Sequence, residues 1–207
     1  MSSSLMFVAL VFAAFFYVVL PLGRLTTGWR LMVFAGLLVL GFVPYNGLEL
    51  AGYLGGVIGG DLAIPSLVLL VWGCLRQTLG QPAPELMQRM VPLFFFAALG
   101  LVLYPATLGL SSLDPYRFGF EPGLLLVISG AAALAFCFLG NCVASVALIL
   151  AGLAFMLDLK DTRNYWDYLI DPALFLYSLS MTLRWLGRVA WARVGGVRKP
   201  ALAVGEA

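Results

Sequence analysis

Apolar residues run along this chain in long stretches rather than along one face of each helix-length window. Seven runs stand out, at 5–22, 31–43, 62–75, 90–110, 123–139, 142–157 and 165–186. The first would span about 27 Å as a helix, close to the ~30 Å hydrocarbon core of a bilayer. A helix that is apolar all round offers water no face. In lipid only a helix or a closed barrel satisfies its own backbone. The pattern predicts an all-α, polytopic integral membrane bundle of about seven transmembrane helices. Residues 1–190 form one transmembrane domain, and 191–207 form a short, loose cytoplasmic tail. The first run has no basic leader and is followed by Arg24 and Arg30, which reads as a retained anchor rather than a cleaved signal.

The break between the fifth and sixth runs rests on Gly140-Asn141. Without it, 123–157 is one helix of about 52 Å, too long for a bilayer. With it, two ordinary spans meet in a turn of good turn residues. Charge offers an independent test. With the break, Arg24, Arg30, Arg76, Arg89, Arg184, Arg188, Arg193, Arg198 and Lys199 share one side and only Arg117, Lys160 and Arg163 the other; without it the bases divide evenly. Cytoplasmic loops are enriched in Lys and Arg, so the hairpin stands, with the N-terminus outside and the C-terminus inside. The tryptophans Trp29, Trp72, Trp166, Trp185 and Trp191 fall near the predicted span ends, where an amphipathic indole prefers to lie.

Composition agrees with the pattern. The chain is 62% hydrophobic and 11% charged, with a mean hydropathy of +1.01, against roughly 25% charged in soluble domains. A net charge of +2 with scattered bases gives no reason to expect nucleic acid. The chain has no histidine, which excludes imidazole-based triads and His-ligated haem or zinc. Cys74, Cys137 and Cys142 lack metal-ligand spacing and read as packing residues, so no metal and no cofactor is expected. Arginine outnumbers lysine, a bias of GC-rich bacterial coding sequences that suggests the inner (plasma) membrane.

The candidate chemistry is acidic and one-sided. Glu49, Asp61, Asp114, Glu121, Asp158, Asp161, Asp167 and Asp171 fall on the outer side, and only Glu85 and Glu206 inside. This is either the ordinary avoidance of outer bases or an acidic mouth that gathers a cation. In the seventh run Asn164, Asp167, Asp171, Ser178 and Thr182 share one face if the helix is continuous. Asp171 then lies about 9 Å inside the helix start. Alternatively Asp171-Pro172 opens a helix, with aspartate as N-cap and proline at the first position; such a cap alone would tolerate asparagine. Two ionised aspartates in a partly desolvated site would attract a proton, a cation or an arginine.

Arg117, between Asp114 and Glu121 and amid Tyr116, Phe118 and Phe120, is a local ion pair or a headgroup donor. Segment 46–60 carries Gly52, Gly55, Gly56, Gly59 and Gly60 on one helical face. It reads either as a re-entrant or interfacial helix closed by Asp61 as the next N-cap, or as a longer second span with a glycine loop. Ser129, Ala133, Ala147 and Ala151 give small-residue steps that suit a tight fifth–sixth pairing. The expected partners are the lipid bilayer and other membrane proteins.

Three functions survive this reading. The favoured one is an accessory or scaffold subunit of a cell-envelope complex. The others are a transporter of a cation or cationic solute through the acidic mouth, and an intramembrane enzyme acting on a lipid-linked substrate with its carboxylates and Arg117. The candidate functional residues are Asp171, Asp167, Arg117, Glu121, Asp114, Glu49 and Asp61.

Overall fold

The computed structural model describes residues 3–58, 61–82, 84–110 and 114–196. Among the described residues the chain is helical, apart from one small hairpin. In order come α1 (Ser3–Val19), α2 (Thr27–Gly41), β1 (Pro44–Tyr45), β2 (Leu48–Glu49), α3 (Leu50–Ile58), α4 (Ile64–Thr78), α5 (Leu86–Thr107), a 3-10 turn (Pro115–Gly119), α6 (Gly123–Phe138), α7 (Cys142–Met156), α8 (Trp166–Leu169) and α9 (Pro172–Gly196). Each apolar run forms helix. Among the described residues α5 alone is long and apolar enough to cross a membrane; α1, α2, α4, α6 and α7 are shorter apolar helices.

Helix ends are set by local chemistry. At the C-termini of α4, α5 and α6, Gly80, Gly109 and Gly140 adopt positive φ (67°, 75° and 72°). Each is followed by an amide that bonds back five residues, as in Gln81 to Arg76, Leu110 to Pro105 and Asn141 to Phe136. This is the left-handed C-cap that glycine adopts without steric cost. Asp158 performs the same turn after α7 with φ 48°, and its successor Leu159 bonds to Ala154.

Gly140-Asn141 therefore makes the α6–α7 hairpin. Asn141 caps α7 by accepting from the Ala144 amide at 3.3 Å, while Ser145 Oγ donates to the Ala133 carbonyl across the hairpin at 2.8 Å. Ala133 and Ala147 are buried. The Asn141 side-chain amide also donates to the carbonyl of Gln88. That carbonyl lies four residues before Pro92, which has no N–H to offer it; Pro92 sits inside α5.

The helices run between two ends. At one end Arg30, opening α2, meets Leu22, Gly23, Gln77 and Thr78, and the α6–α7 turn meets the start of α5. At the other, Asp61 meets Lys160, Ala63 meets Asp171, and Gly119 meets Tyr165. Helix α9 packs antiparallel on α5, with Phe94 against Trp185 and Tyr104 stacked on Phe175. Gly100 is essential there, because a Cβ would lie 2.0 Å from the Phe175 ring. Arg184, Arg188 and Arg193 thus descend toward the arginine end, and the acids of 158–171 lie at the opposite, aspartate end.

Two hydrophobic clusters form the core. The larger gathers α5, α6, α7, α8 and the start of α9. The smaller joins Ala9 and Phe12 of α1 to Ala51 of α3. Helix α4 connects them, sending Ile64 and Leu69 into the larger cluster and placing Gly73 against Val18 of α1.

Several expectations change. Over 46–58 the chain is neither a longer second span nor a glycine loop. Asn46 and Gly47, with φ 48° and 85°, make a two-residue hairpin turn between β1 and β2, and the nine-residue α3 follows. Of the five glycines, Gly52 and Gly55 are close-approach positions, where a Cβ would meet Leu48 at 2.9 Å and Val8 of α1 at 3.0 Å; Gly59 and Gly60 lie outside the described residues. The 165–186 run is not one helix, because Ile170 is extended (φ −150°, ψ 142°) between α8 and α9. Residues 191–196, expected in the tail, continue α9.

Arg30 is the strongest single tie at its end. The residue is 8% exposed, and its guanidinium donates to the four carbonyls of Leu22 (3.3 Å), Gly23 (3.1 Å), Gln77 (2.9 Å) and Thr78 (3.4 Å). An ammonium cannot reproduce that fork. Thermal unfolding of Arg30→Lys is expected to show a loss of about 1.5–3 kcal/mol, the worth of a charged hydrogen bond; an unchanged midpoint contradicts the role.

Candidate functional site

The sequence-derived candidates concentrate at the aspartate end, where 158–171 wraps over the 115–119 turn. Asn164 is the centre of the wrap. Fully buried, it donates through Nδ2 to the Tyr116 carbonyl at 3.0 Å and accepts at Oδ1 from the Trp166 amide at 3.0 Å. Trp166 Nε1 donates to the Pro115 carbonyl at 2.9 Å. The Tyr165 amide donates to Gly119 at 2.9 Å. Gly119 has no room for a side chain, since a Cβ would lie 1.7 Å from Asn164 Oδ1. Trp166, expected at a membrane interface, is instead 2% exposed and sits in the core.

Asp167 lies above this wrap. Its carboxylate accepts from Tyr116 Oη at 3.1 and 3.2 Å and from Thr162 Oγ1 at 2.6 Å. Burial, the Asp167 charge and the hydrogen bond to it all push the Tyr116 phenol above its ordinary value. Lys160 Nζ donates to the Asp167 carbonyl at 2.7 Å and pairs with Asp61 at 3.1 Å. It also lies 5.6 Å from the Tyr168 ring, while the Lys160 amide donates to Tyr168 Oη at 2.9 Å. Asp61 is therefore an ion-pair partner rather than the N-cap of α4, whose cap residue is Ala63.

Asp171 is 4% exposed and spends both carboxylate oxygens on backbone. Oδ1 accepts from the Leu174 amide at 2.7 Å and Oδ2 from the Ala63 amide at 2.9 Å. Pro172 is the first residue of α9, where its missing N–H costs nothing. One carboxylate thus holds the N-termini of α9 and α4 together. The shared face proposed for Asp167 and Asp171 does not form, because the chain is extended at Ile170 between them.

The remaining candidates disperse. Asp114 caps its own turn through the Arg117 amide at 3.4 Å. Arg117 and Glu121 are exposed, and among the described residues Arg117 forms no ion pair. Glu49 is half-buried in β2, beside α3 rather than in the wrap. No group of three His, Cys, Asp or Glu among the described residues could hold a metal. The arrangement can cap, pair and fasten.

Arg30, Lys160, Thr162 and Tyr168 organise the two ends without any sequence motif that marks them, because their partners are distant in the chain or are backbone atoms. Asn46-Gly47 carries a local hairpin signal.

Two measurements test this assignment. Asparagine presents one oxygen where two amides need one each, so Asp171→Asn should orphan one N–H and Asp171→Ala two, at about 1–3 kcal/mol apiece. Equal stability of the two variants contradicts the double cap. For Tyr116, a raised folded pKa means its stabilising contribution is complete below about pH 10 and is lost as pH rises through the folded value. Ultraviolet difference titration against Tyr116→Phe should show the phenol ionising at lower pH in Asp167→Asn than in the parent. No family model, curated protein or solved structure matches the chain.

Proposed function

We propose that this chain is a multi-pass inner-membrane protein with seven spans, its N-terminus outside and its C-terminus cytoplasmic, serving as a non-catalytic accessory or scaffold subunit of a cell-envelope complex. The carrying observation is the exterior of its helices. Val39, Val71, Val102, Val127, Phe138, Ile149 and Leu176 all face outward, while Asn164, Asp171 and Arg30 are buried. Contiguous apolar exteriors of this extent are untenable in water and ordinary in lipid.

The short helices fit this reading. Fifteen residues, as in α2, α4 and α7, reach about 22 Å. Flanking apolar residues such as Phe42, Val43, Leu139 and Leu157, with modest local thinning, make up the shortfall at fractions of a kcal/mol per Å. The excess of arginines at one end and of aspartates at the other supports the orientation. The scaffold reading is supported by the use of the polar groups: the buried Asp171 and Arg30 and the half-buried Asp167 all serve as fasteners between segments of the same chain.

In a cysteine-free background, a cysteine replacing Arg193 should resist an impermeant reagent applied to intact cells, and one replacing Glu121 should label. The reverse pattern overturns the orientation. Affinity purification from the native membrane should recover a stoichiometric protein partner that a folded Asp167→Asn variant retains. Loss of phenotype in that variant with the partner still bound overturns the scaffold reading in favour of chemistry.

A further inference from the structure

Lys160 carries its charge into the wrap instead of into water. Its side chain is 7% exposed, while that of its partner Asp61 is 68% exposed. The ammonium has three neighbours of different kinds. They are the Asp61 carboxylate at 3.1 Å, the Asp167 carbonyl at 2.7 Å and the Tyr168 ring, 5.6 Å to its centroid. A carboxylate, a carbonyl and an aromatic face each attract a compact ammonium with N–H groups to donate. A guanidinium, planar and broader, does not meet all three from one point.

The walls of this seat stand without the lysine side chain. Tyr168 is fully buried, and its hydroxyl is held by backbone. It accepts from the Lys160 amide at 2.9 Å and donates between the carbonyls of Lys160 and Thr162, at 3.2 and 3.3 Å. Asp167 is fixed through its carboxylate, which accepts from Tyr116 and Thr162, and its own carbonyl is fixed with it. Asp61 lies two residues before Ala63, whose amide is bonded to Asp171. A seat held in this way is formed before its occupant arrives, so little binding energy is lost in ordering it.

We propose that the aspartate end contains a primary-ammonium site, that the chain fills it with its own Lys160, and that this tethered lysine keeps external amines out. The ligand class is a primary alkylammonium, which shares the shape of the lysine side chain. The tether favours the internal occupant through its effective concentration. Asp61 is the exposed wall and the side from which a competitor enters. The contact is autoinhibitory, because the site is closed while Lys160 is seated. The inference goes beyond the scaffold reading and does not depend on it or on the orientation, since the seat lies within one end of one chain.

The test uses the full-length protein in detergent micelles. Lys160→Ala empties the seat, and n-butylammonium should then raise the melting midpoint saturably, while the parent shows no saturable rise. Tetramethylammonium, which has no N–H to donate, should not replace it. Adding Asp61→Asn to the emptied variant should weaken n-butylammonium binding at least about tenfold, the factor of roughly one charged hydrogen bond. A second measurement needs no emptied seat. A water-soluble acetylating reagent, read by site-resolved mass spectrometry, should modify Lys160 far more slowly in the native parent than in the denaturant-unfolded chain. Native Asp61→Asn should react faster than the native parent. No saturable rescue of a folded Lys160→Ala, equal rescue by tetramethylammonium, or a parent that responds as the emptied variant does overturns the proposal. So does acetylation of Lys160 at the same rate in native and unfolded parent, or at the parent's rate in Asp61→Asn. Should Lys160→Ala fail to fold, the acetylation rates decide.

Discussion

Helix α4 is held by an anion at its beginning and a cation at its end, and through them it is tied to the start of α9 and to the chain between α1 and α2. Asp171 accepts from the Ala63 amide at the N-terminus, and Arg30 donates to the Gln77 and Thr78 carbonyls at the C-terminus. Each charge opposes the nearby pole of the helix dipole and satisfies backbone groups that every helix end leaves open. Each charge also binds a second segment: Asp171 starts α9, and Arg30 gathers the chain after α1. Since α4 lies between the two hydrophobic clusters, these two side chains couple the halves of the molecule.

Several other buried polar groups are used in the same way, whereas the hydroxyls of Ser66, Ser178 and Thr182 have no hydrogen-bond partner among the described residues. Asn141 closes the α6–α7 hairpin and fills the hydrogen bond that Pro92 takes from α5. Asn164 satisfies a turn and a helix start at once. Tyr17 and Gln77 tie α1 to α4 beside Arg30, Tyr17 through Thr78 and Gln77 through the Leu20 carbonyl. An unsatisfied polar group costs most where no water can relieve it, so a chain with an apolar exterior gains by making each polar residue serve two partners.

Much of this was legible beforehand. The apolar runs located the helices, and Gly140-Asn141 marked the hairpin because only glycine enters the left-handed C-cap freely. The repeated Leu-Gly at Leu79-Gly80, Leu108-Gly109 and Leu139-Gly140 carries the same signal, as does Asn46-Gly47 for its turn. Asp171-Pro172 was legible as a cap but not as a double one, because the second amide comes from Ala63, far away in the sequence. The face shared by Asp167 and Asp171 misled for a related reason: helical spacing presumes continuity, and Ile170 breaks it.

By itself the sequence determined the helical class and the helix ends that glycine closes in the left-handed cap. Those depend on hydropathy and backbone sterics, both of which are local. Only the tertiary structure decided which polar residues are buried and whom they serve. Arg30 and Arg117 are alike in sequence, each an arginine near aromatic residues. One is buried against two helix ends, while the other is exposed with no ion-pair partner among the described residues. The difference is the free energy of desolvating a charge, which is offset only where packing brings several carbonyls to one point.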